Sequence, residues 1–128
     1  MNQPSQTIVD TNIILRFLVK DQPQQFNQAK KWFRLAQKGR INLFIVPLVI
    51  AECCFVLESF YKVDRDEIAQ KFQVLLGQRW LRVNQRLVLQ NLWPFYQQGF
   101  HFVDSYLLSW NQVYQQKILT FDERMKHS

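Results

Sequence analysis

Short runs of β-branched and apolar residues, alternating with stretches of helical periodicity, constrain this chain more than any other feature. Thr7-Ile8-Val9, Leu43 to Val46, Trp80 to Val83 and Lys117-Ile118-Leu119-Thr120 read as four strands. Between the first two, Ile13 to Val19 is a short apolar helix that stops at Lys20-Asp21-Gln22-Pro23. From Pro23 to Lys38 apolar residues recur at Phe26, Ala29, Phe33 and Ala36, with Gly39 as the stop. Pro47 opens a helix to about Phe60 that is apolar nearly all round, which implies burial. Asp64-Arg65-Asp66-Glu67 masses acids at the start of the next helix, where the dipole favours them. Gln85 to Gln98 is helical with a kink or early break at Pro94, and Phe102 to Gln115 forms a further helix. Phe121-Asp122-Glu123-Arg124 turns into a final short one. This alternation predicts an α/β fold whose parallel sheet is covered on both faces. In such sheets the functional crevice lies beyond the carboxyl ends of the strands.

Nothing marks a linker, repeat or low-complexity block, so the 128 residues read as a single domain, 1–128. No apolar run is long enough for a membrane span. Met1-Asn2-Gln3-Pro4-Ser5-Gln6 lacks the basic and apolar regions of a secretory signal, so a cytoplasmic location is expected. The only cysteines, Cys53 and Cys54, are adjacent, which suits small core residues of a reducing compartment better than a staple or a zinc site. Sixteen Lys and Arg against ten acids give a net charge of +6, favouring an anionic partner. If four of those acids share one site, a negative hole lies in a positive surface, an arrangement suited to holding metal while attracting phosphates.

The acids carry the chemistry. Asp10 and Asp122 each follow a predicted strand and precede a predicted helix. Together with Asp104 they stand near helix starts, where an Asp cap is worth about 1 kcal/mol. Capping is the simpler account of each alone. Glu52 has no such account. It lies mid-helix with Leu48, Val49, Phe55 and Val56 three and four positions away, so burial is expected, and an unpaired buried charge is expensive. A buried Arg or Lys, protonation, or a metal ion would each resolve that cost. Glu58 points to a different side and reads as surface. Asp104, flanked by Phe100, Leu107 and Leu108, also interrupts an apolar face. Two acids at strand ends and two facing inward from helices suit one pocket. Carboxylates packed together repel unless a cation holds them. Hard oxygen ligands without His or Cys favour Mg²⁺ or Mn²⁺, the ions of phosphate chemistry.

Ile8-Val9-Asp10-Thr11-Asn12 resembles the opening motif of PIN domains, and Val49-Ile50-Ala51-Glu52 their second. Phe102-Val103-Asp104-Ser105-Tyr106-Leu107-Leu108 is similar to the third, and Leu119-Thr120-Phe121-Asp122 to the fourth. The resemblance spans essentially the whole chain in the family's order, and among short bacterial chains it is nearest to VapC-type toxins of toxin–antitoxin pairs. It implies a three-layer α/β/α fold with a central parallel sheet of about four strands in the order 3-2-1-4, setting Asp10 and Asp122 across the crevice from each other. It also implies a homodimer, and an antitoxin that buries the active-site groove. By the same resemblance Asp10, Glu52, Asp104 and Asp122 are catalytic and bind one or two Mg²⁺ or Mn²⁺ ions, with Asn12 and Thr120 orienting them. The reaction the resemblance implies is hydrolysis of an RNA phosphodiester by a metal-activated water, without a covalent intermediate. Many relatives carry another acid three residues before the third-motif Asp. Here that position is His101, either a solvated loop residue or a phosphate contact.

Two other α/β classes fail on their own motifs. A receiver domain needs an acidic pair after the first strand, where only Asp10 stands, and a haloacid dehalogenase needs an Asp at the position of Asn12. A housekeeping RNA nuclease and a non-catalytic RNA-binding or assembly module remain as alternatives within the PIN fold. Arg79, Arg82 and Arg86 cluster around the third strand as candidate RNA contacts, or as an ordinary solvated edge. Phe17, Phe26, Trp32 and Phe33 supply large apolar surface for self-association or a partner, or pack against the sheet.

Overall fold

Three short parallel strands frame the molecule, whose computed structural model describes residues 6–126; the reading of the first five residues falls outside them. The strands are β1 (Gln6–Ile8), β2 (Asn42–Ile45) and β3 (Arg82–Val83), in spatial order β1-β2-β3. Thr7 pairs with Leu43, Ile8 with Phe44, and Ile45 with Val83. Every strand is followed by a helix, as parallel connections require. The helices are α1 (Thr11–Val19), α2 (Pro23–Gln37), α3 (Pro47–Ser59), α4 (Arg65–Leu76), α5 (Arg86–Asn91), α6 (Trp93–Gln97) and α7 (Phe102–Tyr114). They flank the sheet in the three-layer manner expected.

Local chemistry explains most boundaries. Gly39, at φ +77°, closes α2: its N–H donates to the Ala36 carbonyl and that of Arg40 to the Leu35 carbonyl, the double bond of a Schellman end. Pro47 starts α3 and Pro94 sits in the first turn of α6, so the expected single helix from Gln85 to Gln98 is two, broken at Leu92. Phe33, Ala36, Leu43, Ile45, Ile50, Leu57, Phe72 and Trp93 lie in the main core. Trp93 stacks on Phe72 at 5.4 Å between centroids and meets Tyr96 edge-on at 5.6 Å. Phe17 packs edge-on against buried Phe33 at 4.6 Å and stacks with Phe26, so these early aromatics largely satisfy one another, with Trp32 on the surface.

The carboxyl-terminal expectation does not hold. Lys117–Thr120 is not a strand, no strand pairs with the outer edge of β1 among the described residues, and 121–126 is a series of turns, not a helix. The expected fourth strand and its place in the order 3-2-1-4 are therefore absent from the described residues. The cause lies at both ends of the segment. Gln116 is tied to α7 by Trp110, whose Nε1 donates to Oε1 at 2.6 Å, and by Asn111, whose Nδ2 donates to the Gln116 carbonyl at 2.8 Å. Ile118 and Met125 then pack on a small second cluster with Phe95, Phe100 and Leu108. Leu119 and Phe121 are left fully exposed.

Candidate active site

Asp10 leaves the carboxyl end of β1 as the N-cap of α1, its Oδ1 accepting the Asn12 N–H at 2.6 Å. Capping thus explains one oxygen of Asp10 and leaves the other open to solvent. Asn12 orients Asp10 through its backbone, while its side chain lines a separate shallow cavity with Arg16, Gln25 and Trp32.

Glu52 comes from α3, which starts directly after β2, so it stands beyond the same end of the sheet. It is exposed, not buried. Its apolar neighbours mislead because two of them, Leu48 at 80% and Phe55 at 70% exposure, share its solvent face, while Ile50, Cys53, Cys54 and Leu57 turn inward. Water, not a buried cation, resolves the cost of its charge. Cys53 links the two acids. Its thiol lies 3.8 Å from the Thr11 carbonyl, and burial, then Glu52, then Asp10 push its pKa up to about 12. Asp10 and Glu52 therefore act on one buried thiol from two elements. Neither has an ion-pair partner among the described residues.

Arg124 is the partner of Asp122, and Asp104 acts on the same guanidinium only at longer range. Asp104 occupies the first turn of α7, where the helix dipole favours a carboxylate. Arg124 donates to Asp122 through Nε (3.3 Å to Oδ1) and Nη2 (3.1 Å to Oδ2), and its backbone N–H reaches Oδ1 at 2.9 Å. These bonds hold the Asp122 carboxyl below its ordinary pKa. They also raise that of Arg124, with a smaller contribution from Asp104. The guanidinium rests over the Phe100 ring at 4.5 Å. Thr120 accepts the Asp122 N–H at 3.0 Å, so its hydroxyl shapes the turn and does not touch the carboxylate. His101 is the exposed N-cap of α7, and its carbonyl accepts from both the N–H and the Oγ of Ser105.

The four acids thus divide between Cys53 and Arg124, and no group of three or more His, Cys, Asp or Glu side chains is gathered for a metal among the described residues. By donor chemistry the pair Asp10 and Glu52 fits a hard cation. It offers free carboxylate oxygen, has no competing base, and is open to the waters Mg²⁺ prefers to keep. Asp122 already holds a cation of its own.

Glu58, which reads from sequence as a surface acid, is the one built into the fold. It is half-buried, 3.2 Å from Arg65 Nε, and accepts a short hydrogen bond from the Tyr96 hydroxyl. Arg65 also donates to the Tyr96 and Phe100 carbonyls and stacks 4.4 Å from the Tyr96 ring. This network fastens α3 and α4 to α6. Sequence reasoning also misses Arg124, although a base two residues after Asp122 in a turn is visible in the chain.

Sheet, helices and acids define an α/β protein with carboxylates beyond the carboxyl ends of its parallel strands. The chain belongs to the PIN domain family, whose model matches residues 7–127. PIN domains are generally metal-dependent nucleases. Compared with curated proteins and with solved structures, the chain finds no match in either. No helix among the described residues is long and apolar enough to cross a membrane.

Proposed function

We propose that the protein is a metal-dependent endoribonuclease, with Asp10 and Glu52 as the principal ligands and with Asp104 and Asp122 joining them only once Arg124 gives up Asp122. The observation that carries this reading is that Asp10, after β1, and Glu52, on the helix after β2, both flank buried Cys53, with no ion-pair partner for either among the described residues. When bound, Mg²⁺ or Mn²⁺ supplies an activated water and stabilises charge on the phosphate and leaving oxygen. The chain's own part is positional. The α1 cap fixes the Asp10 carboxylate, α3 presents Glu52 from the adjoining strand connection, and the basic surface draws the RNA backbone. Cleavage of RNA with Mg²⁺ or Mn²⁺ that stops on adding EDTA tests the reading; undiminished cleavage in EDTA would refute it.

The toxin role, with an antitoxin over the groove and a homodimer, is part of the same proposal. Its support is the apolar surface flanking the acids. Leu48 and Phe55 on α3, and Val103 and Leu107 on α7, are exposed around Glu52 and Asp104. A second chain that covered them would shield the site as well. A small DNA-binding reading frame directly upstream would support the toxin role over a housekeeping nuclease. Light scattering that gives a monomer at micromolar concentration would count against the dimer.

A further inference from the structure

Arg79, Arg82 and Arg86 converge on one cavity of about 640 Å³ beside β3, completed by Gly77, Gln90 and apolar walls, with no carboxylate in its lining. Arg86 reaches in from α5, and its Nη1 and Nη2 make short hydrogen bonds to the Leu76 and Leu81 carbonyls. Its guanidinium is therefore fixed by neutral oxygens, and none of the three arginines has an ion-pair partner among the described residues. Partial burial, and then the charge of Arg79, work against the Arg86 cation. A rigid guanidinium with a like charge beside it is stabilised by an anion that enters between them.

The location says which anion. β3 is the sheet edge farthest from β1, so the arginines stand across the short sheet from Asp10, with Glu52 on the helix that follows the middle strand. Arg79 and Arg82 are exposed and the cavity is wide, so it lacks the enclosure that holds a free phosphate against water. A strand with a phosphate at every residue gains from both ends at once. We propose that this cavity is a phosphate-binding subsite for the RNA strand, engaging the backbone at a distance from the bond cut beside Asp10 and Glu52. The inference rests on the nuclease reading. It adds that substrate is held at two separated places, so RNA too short to span them loses affinity.

The test uses the full chain, a fluorescent oligouridylate and EDTA to prevent cleavage. Arg86 is left in place because it also ties two carbonyls. Arg79→Gln/Arg82→Gln, at exposed positions, is compared with the wild type across a salt series. The variant is expected to bind several-fold more weakly at low salt. Its slope of log K against log salt should be smaller by about 1.4, at about 0.7 for each phosphate of a single strand that the protein no longer neutralises. Its melting temperature should be unchanged. Equal affinity and equal slope would overturn the subsite while leaving cleavage, and hence the nuclease reading, intact. Loss of binding in the variant, with a wild type that binds but never cuts in Mg²⁺ or Mn²⁺, would keep the subsite and defeat the nuclease reading. A wild type that binds no RNA, but whose arginine signals shift with inorganic phosphate, would assign the cavity to a free anion and overturn the proposal.

Discussion

The Arg124 guanidinium grips both carboxylate oxygens of Asp122, at 3.3 and 3.1 Å, where a metal ligand would otherwise be free. One carboxylate cannot serve both cations fully, so Arg124 and a divalent ion compete for Asp122. Arg124→Gln is expected to tighten Mn²⁺ binding several-fold in a calorimetric titration, and Asp122→Asn to weaken it. Equal Mn²⁺ affinity in wild type and Arg124→Gln would show that Asp122 takes no part in binding the ion.

The same pair sets an acid-side pH dependence. The folded carboxyl of Asp122 titrates below its unfolded value near 3.9. Its stabilisation is therefore present above that value and lost as pH falls through the lower, folded one. Arg124 is exposed and Asp122 only half-buried, so the effect is small and screened by salt. Arg124→Gln should lessen the stability lost as pH falls below about 4. A variant with the full wild-type acid loss would contradict the assignment.

Cys53 gives the opposite sign. With its folded pKa near 12 and an unfolded thiol near 8.5, its contribution is complete below about pH 8.5 and declines as pH rises towards 12. Urea unfolding from pH 7 to 10 is expected to show stability falling above pH 8.5 by up to about 1.4 kcal/mol per pH unit for each of the buried thiols Cys53 and Cys54, and Cys53→Ala should remove one of the two shares. Flat stability over that range would contradict a buried, acid-flanked Cys53.

Glu58→Gln separates structure from function. It removes the charge from the Arg65–Tyr96 network at the junction of α3, α4 and α6, and should cost about 1–2 kcal/mol in denaturant unfolding, the pair being half-buried and partly screened. Metal-dependent RNA cleavage at low temperature should be unaffected. Lost cleavage with full stability would move Glu58 into the site.

What the sequence discloses follows the reach of the interactions involved. Gly39 ends α2 and Pro47 begins α3 through bonds within a few residues, so both are legible. Asp10 is legible because a strand end and a cap coincide at one residue. Lys117–Thr120 has the composition of a strand and is not one, because pairing depends on a distant edge, and Trp110 and Asn111 hold Gln116 elsewhere. Glu52 reads as a core residue only if Leu48 and Phe55 are taken as buried from their type alone, a one-way inference that apolar surface regularly defeats. Glu58 escapes notice because its partner Tyr96 arrives from α6, far along the chain.

The central claim, that Asp10 and Glu52 hold the metal of a ribonuclease, is tested most directly by Glu52→Gln. Glu52 is exposed and without an ion-pair partner among the described residues, so removing its charge breaks no salt bridge. Thermal melting of wild type and variant is measured first in EDTA and then in Mn²⁺, with RNA cleavage followed alongside. The expected result is a variant that melts as high as wild type in EDTA, or higher, gains little from Mn²⁺, and no longer cuts. A variant that Mn²⁺ stabilises as strongly as wild type, and that still cleaves RNA, would contradict it.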